Sequence, residues 1–192
     1  MAARCSTGEQ GLFTQDRVGL NGKTFVIWKL RTMRAADPDP DEDTSHRLGV
    51  SAGATDRITR TGRWLRRTRL DELPQIRNVL AGEMSLVGPR PDVPEWLDVL
   101  LRHPDALTVR PGLTSLASLA YADEEEMLKR EPDPVAAYAE VVLPHKLSLN
   151  ELYARNLSPS LDLVIIVLTA VSMVSRRTAQ RAALAVANIL GG

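Results

Sequence analysis

The hydrophobic pattern changes period several times along this 192-residue chain. In "GLFTQDRVGLNGKTFVIWKLRTM", from Gly11 to Met33, two segments rich in β-branched and aromatic residues flank Asn21-Gly22. That dipeptide suits the two positive φ angles of a tight hairpin turn, so a β-hairpin is predicted. In its second arm Phe25 and Ile27 alternate with Val26 and Trp28, apolar on both faces, which predicts a strand covered on both sides. From Arg57 the period becomes helical. Ile58, Thr61/Gly62 and Leu65 share one face, and Arg57, Arg60, Arg63, Arg66 and Arg67 line another. A second helix is predicted from about Pro74, a residue suited to a first helical turn, to Ala81, with its stop at Gly82. "SLVGPRP" reads as a rigid loop, "PEWLDVLLRH" as a third helix opening at Pro94, and "VRPGLTS" as a turn. Beyond Asp123, acidic helix starts alternate with apolar stripes, as in "DEEEMLKR" and "PHKLSLNELYARN".

Two stretches break this rhythm. "AADPDPDEDTSHRLGVSAGAT", 35–55, is rich in Asp, Pro, Ser and Gly and reads as a mobile surface loop of solvated acids. "LDLVIIVLTAVSMV", 161–174, is the most apolar segment. Its helical length of roughly 21 Å falls short of the roughly 30 Å of bilayer hydrocarbon. The pattern alone favours a buried core helix. The alternative is a helix lying at a membrane surface, with Arg176, Arg177 and Arg181 meeting anionic headgroups and Leu184, Val186, Ile189 and Leu190 dipping in.

Composition narrows the function. A hydrophobic share of 44% and a charged share of 25% belong to a folded globular chain, long enough for one domain with a core. Twenty-four basic and 24 acidic residues cancel, but they are segregated: 57–69 holds six arginines and no acid. Such segregation marks a local site rather than a general polyanion surface. With 4% aromatic residues, base-stacking platforms and nucleic acid as a partner are not expected. The single cysteine, Cys5, permits no internal disulfide, and no signal-peptide pattern opens the chain.

The candidate chemistry lies in "RLDELPQIRNVLAGEMSLVGPRP". Asp71 and Glu72 stand together at a predicted helix mouth, where acids complement the helix dipole. Here, however, Arg66 precedes Asp71 by five residues and Arg69 by two, and arginine forks match phosphate oxygens in pairs. Arg90 is fixed between Pro89 and Pro91, and Lys29 and Arg31 alternate onto one face of the second strand. Attack by a carboxylate on an anionic phosphorus requires cations that neutralise the phosphate oxygens. Asp71 is then the candidate nucleophile, Glu72 the candidate ligand for Mg²⁺, and the cations the phosphate grip. His103 and His145 are isolated and read as structural.

The segments "RVGLNGKTFVIWKLRTM", "GRWLRRTRLDELPQIRNVLAGEMSLVGPRP", "RPGLTSLAS" and "SPSLDLVIIVLTAV" resemble, in this order, the bacterial sugar transferases, the monotopic polyprenyl-phosphate phosphoglycosyl transferases. The resemblance implies a catalytic domain over 11–174 with an amphipathic tail over 175–192. It implies a compact, helix-rich α+β fold with a small β-hairpin and C-terminal amphipathic interfacial helices. The implied reaction moves a sugar-1-phosphate from a UDP-sugar to undecaprenyl phosphate, releasing UMP, at the start of exopolysaccharide, O-antigen or related glycan assembly. By the same resemblance Asp71 carries the phospho-sugar and Glu72 binds Mg²⁺. Lys29, Arg31, Arg66, Arg69, Pro89, Arg90, Pro91 and Arg110 fall in the substrate-binding motifs. The implied place is the cytoplasmic face of the inner membrane, and a homodimer stays open.

Some positions depart from the family pattern. Its members usually begin with a hydrophobic re-entrant helix before the segment matching Gly11, where this chain has about ten polar residues. The expectation is a chain shortened at its start, cytoplasmic and soluble if it has no anchor. The alternative function is a non-catalytic nucleotide-sugar-binding or membrane-associated remnant of the family. Leu30 replaces the more usual aromatic, and Ser115 stands where glycine is common.

Overall fold

A computed structural model describes residues 7, 8, 10–35, 48 and 57–192. The polar loop read over 35–55 lies almost wholly outside the described residues, as does Cys5.

Strand β1 (Leu12–Val18) pairs antiparallel with β2 (Thr24–Leu30), setting Phe13 opposite Lys29 and Arg17 opposite Phe25. Asn21 (φ 56) and Gly22 (φ 75) are both left-handed, and the Lys23 N–H donates to the Leu20 carbonyl at 3.2 Å. This is the turn that the Asn-Gly pair predicts. Ile27 is 2% exposed on the inner face, but Val26 on the other face is 41% exposed. Trp28 there lies under the Arg77 guanidinium, 4.8 Å from its ring centroid. The two-sided cover expected of β2 is therefore corrected: its outer face is only partly covered, with the Arg77 guanidinium over Trp28.

Met33 bridges to Ile58, so the helical period begins later than its pattern. Thr59 caps helix α1 (Arg60–Arg67), its hydroxyl accepting from the Gly62 N–H at 2.9 Å. Gly62 presses against the backbone of Thr32, where any β-carbon would strike the Thr32 carbonyl. Glycine thus allows α1 to lie against the end of the hairpin.

The single helix expected from Pro74 is instead a 3₁₀ turn, Leu70–Gln75, followed by α2 (Ile76–Leu80). Pro74 lies inside the 3₁₀ turn, and Gly82 (φ 77) supplies the left-handed stop. The segments read as a loop and a turn contain β3 (Ser85–Val87) and β4 (Gly112–Thr114), a parallel pair. Gly88 and Gly112 pass so closely that a β-carbon on Gly112 would meet the Gly88 nitrogen.

A 3₁₀ turn, Pro94–Trp96, leads into α3 (Leu97–Leu100). There follow α4 (Leu116–Ala120), α5 (Glu124–Leu128), α6 (Pro134–Ala137), a π turn (Tyr138–Val142), α7 (Leu143–Arg155), α8 (Pro159–Val174) and α9 (Arg176–Gly191). Ser115 caps α4 by accepting from the Ser118 N–H at 2.9 Å. One apolar cluster gathers Leu116, Leu119, Leu149 and Ile165 with Ala179, Ala183 and Ala187 of α9. A second gathers Val18, Leu128, Val142, Leu143 and Leu147. Each such large aliphatic side chain contributes about 1.5–3 kcal/mol on burial.

The fold is thus α+β and mostly helical. The buried-core reading of 161–174 is corrected, because only Leu161, Ile165 and Ser172 of α8 are buried. Leu163 and Val167 face outward, and Val174 is 89% exposed. Among the described residues no helix is long and apolar enough to cross a membrane.

Candidate active site

Separate pieces of chain bring the predicted residues to one cavity of about 360 Å³. The hairpin brings Lys29 and Arg31, α1 brings Arg66, the 3₁₀ turn brings Asp71 and Glu72, and the loop after β3 brings Arg90. Arg69 enters from the junction between α1 and the 3₁₀ turn. There it adopts a left-handed backbone (φ 56, ψ 15) that a non-glycine residue rarely takes.

Glu72 is the electrostatic hub. Arg90 Nη2 donates to its Oε1 at 2.9 Å, Lys29 Nζ lies 3.5 Å from the same oxygen, and Arg69 Nη1 stands 4.0 Å from Oε2. Burial works against the charge, yet Arg90, then Lys29 and Arg69, outweigh it and hold the Glu72 carboxyl down at about 2. Glu72 in turn raises Arg90. Burial, followed by repulsion from Arg90, draws Lys29 down to about 8.

Asp71 behaves in the opposite sense. Burial first, then the neighbouring Glu72 charge, raise its carboxyl above the ordinary aspartate value. It has no hydrogen-bond or ion-pair partner among the described residues. Two adjacent carboxyls thus diverge: one is ionised and clamped, the other more basic and uncommitted. Divergence of this kind separates roles in an active site.

Arg66 is held by Thr32 Oγ1 at 3.1 Å and faces Glu125 at 3.6 Å. Arg31 donates to the Gln10 carbonyl and stacks near Phe13. Pro89 and Pro91 are buried and line a small recess behind Arg90 rather than the main cavity. Arg110 is exposed and absent from the cavity lining; its carbonyl lies by Gly88.

Sequence reasoning missed a second group in the same cavity. Lys146 donates to Glu124 at 2.9 Å and lies 3.4 Å from the Tyr138 hydroxyl, which donates to Asp92 at 3.3 Å. Arg17, its Nε buried without a partner, is drawn down to about 10 by burial and by Arg90. Arg17 had a signal: the Asn21-Gly22 turn places Phe13, Gln15 and Arg17 on the strand face that carries Lys29. Asp92 follows directly on the Pro89 to Pro91 motif, whereas Glu124, Tyr138 and Lys146 come from distant elements and had no signal.

Among the described residues no three carboxylates, histidines or cysteines converge. Magnesium commonly uses one or two carboxylates and takes its other ligands from substrate phosphates and water. Glu72 fits that use, because it is ionised and its Oε2 has only the long Arg69 contact.

The family model for bacterial sugar transferases matches residues 1–176. The chain belongs to this family. Glucose-1-phosphate transferases acting between UDP-glucose and undecaprenyl phosphate are among its relatives. That of Caulobacter vibrioides is 43% identical over 123 residues, covering 62% of this chain and 44% of the relative. That of Xanthomonas campestris pv. campestris is 37% identical over 172 residues, covering 87% and 32%. That of Klebsiella pneumoniae is 34% identical over 167 residues, covering 82% and 31%. This sugar transferase chain therefore spans less than half the length of these curated relatives.

Proposed function

We propose that this chain catalyses transfer of a sugar-1-phosphate from a UDP-sugar to undecaprenyl phosphate. The observation that carries the reading is the uncommitted, basic Asp71 beside a clamped Glu72, inside a cavity rich in cations. The names of the relatives support the two substrates.

Asp71 Oδ attacks the phosphorus bonded to the sugar. A new O–P bond forms, the bridging P–O bond breaks, and UMP departs with the electron pair. An oxygen of the lipid phosphate then attacks the same phosphorus, the aspartyl O–P bond breaks, and the Asp71 carboxylate is restored. Lys29, Arg66, Arg69 and Arg90 offset the negative charge that would otherwise repel the carboxylate. Glu72 holds Arg90 and Lys29 in position. A magnesium ion held by Glu72 together with the substrate phosphates would add further charge neutralisation.

The outward apolar side chains of α8 support seating on a membrane surface; the cytoplasmic face of the inner membrane is what the family resemblance implies. The test is UMP release from UDP-sugars with Mg²⁺ and undecaprenyl phosphate. Wild type should release UMP and Asp71→Asn should not; equal release by both would remove Asp71 as nucleophile.

A further inference from the structure

The cations around Asp71 are already engaged. Lys29, Arg69 and Arg90 share Glu72, and Arg66 faces Glu125. Arg67 and Arg176 differ. Both line the same cavity and both are exposed, so they stand at its rim. Neither has a hydrogen-bond or ion-pair partner among the described residues. Arg176 and Arg69 are close enough for mutual repulsion, which an incoming anion would relieve.

Their surroundings are apolar. Trp64, one turn before Arg67 on α1, is 57% exposed, and Leu70 is exposed three residues after it. Met173 and Val174, at the end of α8, precede Arg176 and are also exposed. Each of the two arginines thus has exposed apolar side chains beside it in its own piece of chain. A free phosphate would use only the arginines and an uncharged lipid only the apolar side chains. A phosphate monoester on a hydrocarbon chain would use both.

We propose that Arg67 and Arg176 form a subsite for the phosphate of the acceptor lipid, distinct from the donor cations around Glu72. The hydrocarbon leaves the cavity across Trp64, Leu70, Met173 and Val174. The inference rests on the transfer reaction proposed above, in which one cavity receives two phosphorylated substrates in turn.

The test is binding, measured by titration calorimetry with a soluble short-chain prenyl monophosphate, so it does not depend on turnover. The Arg67→Gln, Arg176→Gln double variant should bind at least about tenfold more weakly than wild type, as expected for lost charge-assisted hydrogen bonds. Arg102→Gln, an exposed arginine outside the cavity lining, should bind as wild type does. Inorganic phosphate and the matching prenyl alcohol should each bind wild type more weakly than the monoester. Equal binding of the monoester by wild type and the double variant, or its failure to bind wild type, would overturn the subsite. Equally tight binding of inorganic phosphate would overturn its lipid half. A vesicle arm separates the sources of phosphate. If the double variant loses binding to phosphatidylglycerol vesicles but keeps the prenyl monophosphate, the arginines grip headgroups and the proposal fails. Loss of UMP release in wild type would instead count against the transfer reaction.

Discussion

Arg90 Nη2 reaches Glu72 Oε1 at 2.9 Å across 18 residues of sequence, tying the loop after β3 to the 3₁₀ turn that carries Asp71. The loop is held from behind as well, since Arg17 Nη1 donates to the Pro91 carbonyl at 3.2 Å. Arg90 therefore orients the site in addition to charging it.

The pair sets an acid limit on stability. The Glu72 carboxyl lies at about 2 in the fold, against 4.5 ordinarily. A depressed carboxyl contributes stability that is complete above its unfolded value and fades as pH falls towards the folded one. Urea unfolding should show wild type losing its advantage over Glu72→Gln as pH drops from about 4.5 to about 2. Asp71 is raised and acts in the opposite sense; the part due to burial is common to both proteins, and the part due to the Glu72 charge is lost with that charge in Glu72→Gln. Parallel pH curves would contradict the clamp.

Lys29 gives an alkaline limit on function. Burial and Arg90 draw its ammonium down to about 8, low enough to lose charge in mildly alkaline solution. Affinity for UDP should fall as pH rises through that value. Lys29→Arg should flatten the fall, because guanidinium keeps its proton. Calorimetric binding on either side of about 8 is the check, and an equally steep fall in Lys29→Arg would remove Lys29 as the cause.

Arg69 couples backbone strain to charge. Its left-handed φ of 56 suits glycine better than any residue with a β-carbon. Arg69→Gly should be more stable than Arg69→Ala by roughly 0.5–1 kcal/mol, while both lose transfer activity through the missing cation. Thermal unfolding of the two variants side by side reads the strain. If alanine is the more stable, the strain is not there.

Local chemistry was legible in the sequence, and tertiary encounters were not. Asn21-Gly22 carries its turn in two φ preferences, and Gly82 does the same for a helix end. Asp71, Glu72 and Arg90 were visible as a charge pattern, and the fold brings them to one cavity. The pair β3 and β4 was hidden because three residues are too few to show a period of two, and the partners lie 27 positions apart. Glu124 looked like an ordinary acid at a helix start, and its reach to Lys146 depends on how α5 and α7 pack. On α8 apolar residues occupy every face of the helix, so hydropathy could not tell the packed stripe from the outward face.

The most direct measurement is intact-protein and peptide mass spectrometry of the chain exposed to UDP-sugar and Mg²⁺ without acceptor. The account predicts a phospho-sugar adduct on the peptide bearing Asp71, absent in Asp71→Asn and discharged when undecaprenyl phosphate is added. Steady turnover with no modification of Asp71 at any stage would contradict it.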